Sequence, residues 1–145
     1  MPKGRINYFT EDLAFQLPQK QKTRRWIAFV IEKEGFQLAE INFIFCSDQY
    51  LHSINKAHLN HDTLTDIITF PYSAKGEALI ADIFISITRV KENALALGES
   101  FSDEINRVMI HGVLHLMGYK DKSAAQKAEM RKKESACLSL RKRFT

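Results

Sequence analysis

Apolar and polar positions alternate in two periods along the chain, and the switches between them outline nine elements. Ile6 to Phe9 reads as a short first strand. Pro18 suits a first helical position and Gly35 a stop. Between them Trp26, Ile27, Phe29, Val30 and Ile31 form an apolar stripe, with Lys20, Lys22, Arg24 and Arg25 outside it. Leu38 to Cys46 is rich in Ile and Phe and predicts a strand. Ser47 is placed to cap a helix running to about His58, and a polar loop spans Asn60 to Thr65. Asp66 to Tyr72 carries β-branched Ile67, Ile68 and Thr69, while Pro71 assigns this strand to a sheet edge. A turn over Ala74 to Glu77 leads into a strand from Leu79 to Ile85, making a hairpin.

Three helices complete the pattern. Ser86 caps the first and Gly98 ends it. Ser102 is read as the cap of the second, with Asp103 and Glu104 in the first turn, where carboxylates suit the helix dipole. Gly118 ends that helix, and Ser123 caps the third. The order β-α-β-α-β-β-α-α-α predicts an α+β or irregular α/β domain. Its core is a small mixed sheet of about four strands with an antiparallel edge strand, flanked by about five helices.

Composition agrees with one domain over 1–145. Of 145 residues, 45% are hydrophobic and 26% charged, the ordinary globular balance. A chain of this length buries roughly two-thirds of its unfolded surface and needs no disulfide. Cys46 and Cys137 form no C-x-x-C pair, which suits a reducing cytosol. The start Met-Pro-Lys-Gly-Arg lacks a signal-peptide core, and no apolar run approaches the roughly 20 residues of a membrane span. The expectation is a cytoplasmic protein without a membrane partner.

Charge is uneven. From Lys120 to Thr145 nine basic residues face three acidic ones, so this segment carries +6 of a total of +4 and the rest carries −2. A basic final helix can attract a polyanion such as nucleic acid, or can be a solvated surface helix.

The chemistry concentrates in Ile110 to Asp121. His111 and His115, four residues apart on a helix, place both imidazoles on one face, one turn apart. After the Gly118 stop the chain can turn back, and Asp121 comes within reach as a third ligand. Two imidazoles and one carboxylate suit a single zinc ion with a fourth position for water. Such water has its pKa lowered towards about 7. The spacing matches the extended metzincin layout, yet Gly112 stands where metalloproteases carry their general-base glutamate. That weakens a peptidase reading and leaves the metal site.

The string His111-Gly112-Val113-Leu114-His115-Leu116-Met117-Gly118-Tyr119 resembles the signature of the YbeY family, metal-dependent endoribonucleases of bacterial ribosomal RNA maturation. Leu64 to Pro71 resembles that family's Thr-Asn/Asp strand, and Ile80 to Ile85 its Gly-Asp-Ile strand. The resemblance implies a zinc-dependent, single-strand-specific endoribonuclease whose partners are ribosomal RNA and ribosomal subunits. It also implies a metal at the mouth of a cleft beside the edge strand, with His111 and His115 catalytic as its ligands.

Two positions depart from the pattern. Asp121 replaces the usual third histidine, and His58-Leu59 replaces a Tyr-Arg pair whose arginine is thought to act in catalysis. His58, His61 or Lys56 could serve instead. A non-catalytic ribosome-assembly factor with a structural metal, and a metallopeptidase-like hydrolase, stay as alternatives.

Other polar positions have simpler readings. His58, His61 and Asp62 read as a polar loop near the cleft and His52 as a surface residue. Glu104 is explained by its first-turn position. Cys46 reads as a small core hydrophobe. Asp82, in an apolar strand, either orients a ligand histidine or faces solvent.

Overall fold

The computed structural model describes residues 4–59 and 65–145. In chain order the elements are β1 (Arg5–Thr10), α1 (Lys20–Lys33), β2 (Leu38–Cys46), α2 (Asp48–Leu59), β3 (Ile67–Pro71), β4 (Leu79–Ser86), α3 (Ile87–Leu97), α4 (Phe101–Leu116) and α5 (Ala124–Arg141). The strands form one sheet in the order β1-β2-β4-β3. β1, β2 and β4 run parallel, and β3 pairs antiparallel with β4 at the edge. The mixed four-stranded sheet, the five helices and the edge position of the Pro71 strand agree with the pattern of the sequence.

Strand alternation decides which side chains go inside. Ile41, Phe43 and Phe45 of β2 and Ala81, Ile83 and Ile85 of β4 face one way and are buried. They meet Trp26, Ile27, Val30 and Ile31 of α1, and Ile105, Val108, Met109, Ile110, Val113 and Leu114 of α4. On the opposite face α2 covers one end, where Leu51 packs with Cys46 and Ile68. Both cysteines are buried and free. Burial pushes the Cys46 thiol up to about 12, with nearby carboxylates adding to the shift, so it behaves as a small hydrophobe.

The open face settles Asp82. Asn7, Asn42 and Asp82 stand in one cross-strand row. Asn7 Nδ2 donates to Asn42 Oδ1 at 2.9 Å, Asn42 Nδ2 donates to Asp82 Oδ1 at 3.0 Å, and the Tyr72 hydroxyl donates to Asp82 Oδ2 at 3.0 Å. Asp82 therefore belongs to a polar ladder on the sheet face away from α4, and does not orient His111 or His115.

Three local expectations are corrected. The cap of α4 is Ser100, whose hydroxyl accepts from Asp103 N, and not Ser102. Starting the helix at Phe101 sets that ring edge-on against Phe15, 5.9 Å between centroids, which favours the earlier start. Helix α1 begins at Lys20 and not at Pro18, because Gln19 is left-handed with φ 56° and a helix cannot run through it. Phe29 lies off the buried stripe and is 43% exposed, packing edge-on against Phe144 instead. The caps at Ser47, Ser86 and Ser123, each hydroxyl accepting a backbone N–H three residues on, match expectation.

Among the described residues no helix is long and apolar enough to cross a membrane.

Candidate metal centre

Helix α4 carries both histidines on its last two turns. The helix ends because Gly118 takes φ 101°, a conformation that strains any side-chain-bearing residue. There the chain reverses, with Tyr119 N donating to Leu114 O at 3.1 Å. Tyr119 then anchors the returning segment. Its hydroxyl donates to Glu34 Oε1 at 2.8 Å, and Lys133 Nζ lies 2.6 Å from Glu34 Oε2. That network ties the segment to the end of α1 and to α5, and leaves Asp121 facing the two imidazoles.

The three sequence-predicted ligands do come together. His111 Nε2 is 3.2 Å from Asp121 Oδ2, and His115 Nε2 is 3.3 Å from Asp121 Oδ1. One donor atom from each residue lies within 4.8 Å of the other two. The rings are 5.4 Å apart at 73°, so their nitrogens converge instead of stacking. His115 is exposed and the other two are half-buried, which leaves one side open to solvent. Two imidazoles, one carboxylate and an open side form a donor set that could hold a divalent ion with a free position.

Behind the candidate ligands sits a carboxylate that sequence reasoning missed. Glu134 Oε2 lies 2.6 Å from His111 Nδ1, and Glu134 Oε1 accepts from Arg107 Nη1 at 3.1 Å. In the sequence Glu134 registers only as one charge of the final helix. The available signal is spacing: Met130, Glu134 and Cys137 fall at i, i+4 and i+7, one face of a helix, and all three are buried. A carboxylate on a buried stripe needs a partner.

Electrostatics follow from this crowding. Burial opposes the charged form of His111, but the hydrogen bond and charge of Glu134, with Asp121 and Asp66, outweigh it and raise its pKa above the ordinary value. Asp66, just before β3, has its pKa raised by burial, only partly offset by its own backbone N–H and by His111. Glu104 is buried, and burial and Asp66 both raise its pKa. It stands in the first turn of α4, as expected from the sequence.

Gly112 packs against the edge strand. A Cβ on it would lie 2.8 Å from Ile67 Cδ1 and 3.3 Å from two carbons of Ile83. Position 112 therefore faces the sheet, and α4 passes close beside β3 at the level of His111. A glutamate there would meet Ile67 and Ile83.

His52 is half-buried on α2. His58 and Leu59 close α2; their side chains, and the loop with His61 and Asp62, lie outside the described residues. A cavity of about 700 Å³ opens beside β1, lined by Tyr8, Glu11, Phe15, Asn42, Asp82 and Phe84 among others, with no histidine among the described residues that line it.

Residues 5–141 match the family model described as Endoribonuclease YbeY. The chain is 50% identical over 135 residues to an Endoribonuclease YbeY of Amoebophilus asiaticus, covering 93% of this chain and 92% of that one. It is 48% identical over 142 residues to that of Cytophaga hutchinsonii, covering 98% and 99%. In structure it is similar to a Thermotoga maritima protein solved in solution, with a TM-score of 0.61 at 23% identity, covering 93% of this chain and 90% of that one.

Proposed function

Because the chain belongs to the Endoribonuclease YbeY family, we propose that it is a zinc-dependent, single-strand-specific endoribonuclease acting in ribosomal RNA maturation and ribosome quality control. The observation that carries the reading is the convergence of His111, His115 and Asp121, donor atoms within 4.8 Å, beside the edge strand. The catalytic domain spans 1–145 and works in the cytoplasm on ribosomal RNA and ribosomal subunits. Two free, buried cysteines support a reducing compartment.

His111 and His115 present imidazole nitrogens from one helical face, and Asp121 closes the triangle from the returning segment. When bound there, zinc supplies a Lewis acid and a water whose pKa falls towards about 7. Asp121 adds a negative charge where a third histidine would add none, so it also admits harder divalent ions. Edge strand β3 walls one side of the cleft. Basic side chains hold the phosphodiester backbone, giving salt-sensitive binding. His58 is the nearest substitute in sequence for the cation missing at Leu59.

Gly112 argues against a metallopeptidase, since the general-base glutamate is missing from its usual place and a side chain there would have to displace the tip of Ile67. Leu59 favours a second reading, a ribosome-assembly factor whose metal is structural, because no arginine stands at that position to stabilise transition-state charge.

The test is cleavage of labelled single-stranded and duplex RNA by zinc-loaded protein, purified free of other nucleases. Cleavage of the single strand that disappears in His111→Ala supports the enzyme. Intact RNA with wild-type protein, together with ribosomal-subunit binding that survives His115→Ala, supports the assembly factor.

A further inference from the structure

Glu134 is 5% exposed, yet its two oxygens serve different partners on adjacent turns of α4. Arg107 and His111 lie four residues apart on that helix, on one face. Oε1 accepts from Arg107 Nη1 at 3.1 Å, and Oε2 meets His111 Nδ1 at 2.6 Å. Arg107 also reaches across to α5, donating to the Ser135 hydroxyl at 3.2 Å. The carboxylate is thus paired and fixed from both sides.

An ionised carboxylate can only accept hydrogen bonds. A 2.6 Å contact with Nδ1 therefore requires the proton on Nδ1. The lone pair of the neutral ring is then left on Nε2, the nitrogen that faces Asp121 at 3.2 Å. We propose that Glu134 is the positioning residue of the metal centre, holding His111 in the Nδ1–H tautomer and aiming its Nε2 at the ion. The proposal rests on reading His111, His115 and Asp121 as ligands. A carboxylate behind a ligand histidine fixes ring orientation and raises its basicity, and losing one costs metal affinity about 10–100-fold.

Helix α5 thereby contributes to the metal centre without supplying a ligand. Metal binding and the docking of α5 on α4 are linked through one side chain, so each favours the other.

A purely structural role makes different predictions, because Glu134 also joins α4 to α5 through Arg107. Cobalt(II) titrations followed by the visible spectrum separate them, using wild type, Glu134→Ala, Glu134→Gln and Arg107→Met, each checked for folding by circular dichroism. The expected result is an affinity about 10–100-fold weaker for Glu134→Ala, with Glu134→Gln recovering most of it, because the amide oxygen still accepts from Nδ1–H. Arg107→Met should lose thermal stability but stay within about threefold of wild-type affinity, since the acceptor on His111 remains. Imidazole nitrogen NMR of the zinc-loaded wild type should place the His111 proton on Nδ1. Folded Glu134→Ala that binds cobalt like wild type, or equal losses in Glu134→Ala, Glu134→Gln and Arg107→Met, would overturn the proposal. So would a zinc-loaded wild type with the His111 proton on Nε2, even if the variants failed to fold. Wild-type protein that bound no cobalt would overturn the ligand assignment itself, and this proposal with it.

Discussion

Gly112 lies so close to Ile67 that an added Cβ would come within 2.8 Å of the isoleucine Cδ1. The contact presses the histidine-bearing helix against the edge strand. Gly112→Ala gains about 1 kcal/mol of helix propensity but overpacks a fully buried neighbour, Ile83, as well as Ile67, at about 1–3 kcal/mol. The net expectation is a loss of about 1 kcal/mol in chemical denaturation. Adding Ile67→Val, which removes the clashing methyl, should recover part of that loss. A Gly112→Ala protein as stable as wild type would mean that α4 has slack beside β3.

Tyr119 and Glu34 hold the segment that delivers Asp121. Removing the hydroxyl in Tyr119→Phe should cost about 1 kcal/mol and loosen Asp121, so metal should bind more weakly as well. A stability loss with no change in metal affinity would show that Asp121 is held by something else.

The same network sets an acid limit. Burial alone would raise the pKa of Glu34, but Lys133 and the Tyr119 hydroxyl outweigh it and hold the carboxyl below its ordinary 4.5. A depressed folded-state pKa adds stability that is present above the unfolded value and is lost as pH falls through the folded one. Glu34→Gln should therefore melt lower than wild type at about pH 7, with the gap closing as pH drops below 4.5. A gap independent of pH would remove the charge from the explanation.

Asp66 works in the opposite sense. Burial raises its pKa above the ordinary 3.8, so its ionised form is disfavoured in the folded state. The protonated form is tolerated at low pH, and the penalty grows as pH rises through the folded pKa. Metal-free Asp66→Asn should melt above wild type at about pH 7, with the difference shrinking towards about pH 4. An unchanged or lower melting temperature at neutral pH would mean that the carboxylate is compensated.

The final helix turns its buried stripe inward and leaves Lys127, Arg131 and Lys132 exposed. If these side chains hold RNA, replacing Arg131 and Lys132 by Ser should weaken binding. The salt slope should then fall by about 0.7 for each phosphate that the variant no longer neutralises. An unchanged slope would make α5 a solvated surface.

Helix period and glycine position make much of the centre legible in the sequence alone. The His111–His115 pair, the Gly118 stop and the Asp121 return all lie within one short stretch, where geometry is local. The edge strand is readable from Pro71, because a proline cannot donate to a ladder. What escapes depends on distant segments meeting. Glu134 is 23 residues beyond His111, and Glu34 is 85 residues before Tyr119. The face of Asp82 follows from the register of three strands. The start of α4 is ambiguous in the sequence because Ser100 and Ser102 are equally good caps in isolation. The packing of Phe101 against Phe15 goes with the earlier start.

Metal content tests the central claim most directly. Elemental analysis of purified wild type, His111→Ala, His115→Ala and Asp121→Ala, after saturation with zinc and removal of excess, should find one ion per chain in wild type. It should find essentially none in the two histidine variants and a much reduced content in Asp121→Ala. A wild type without metal, or histidine variants that retain a full ion, would contradict it.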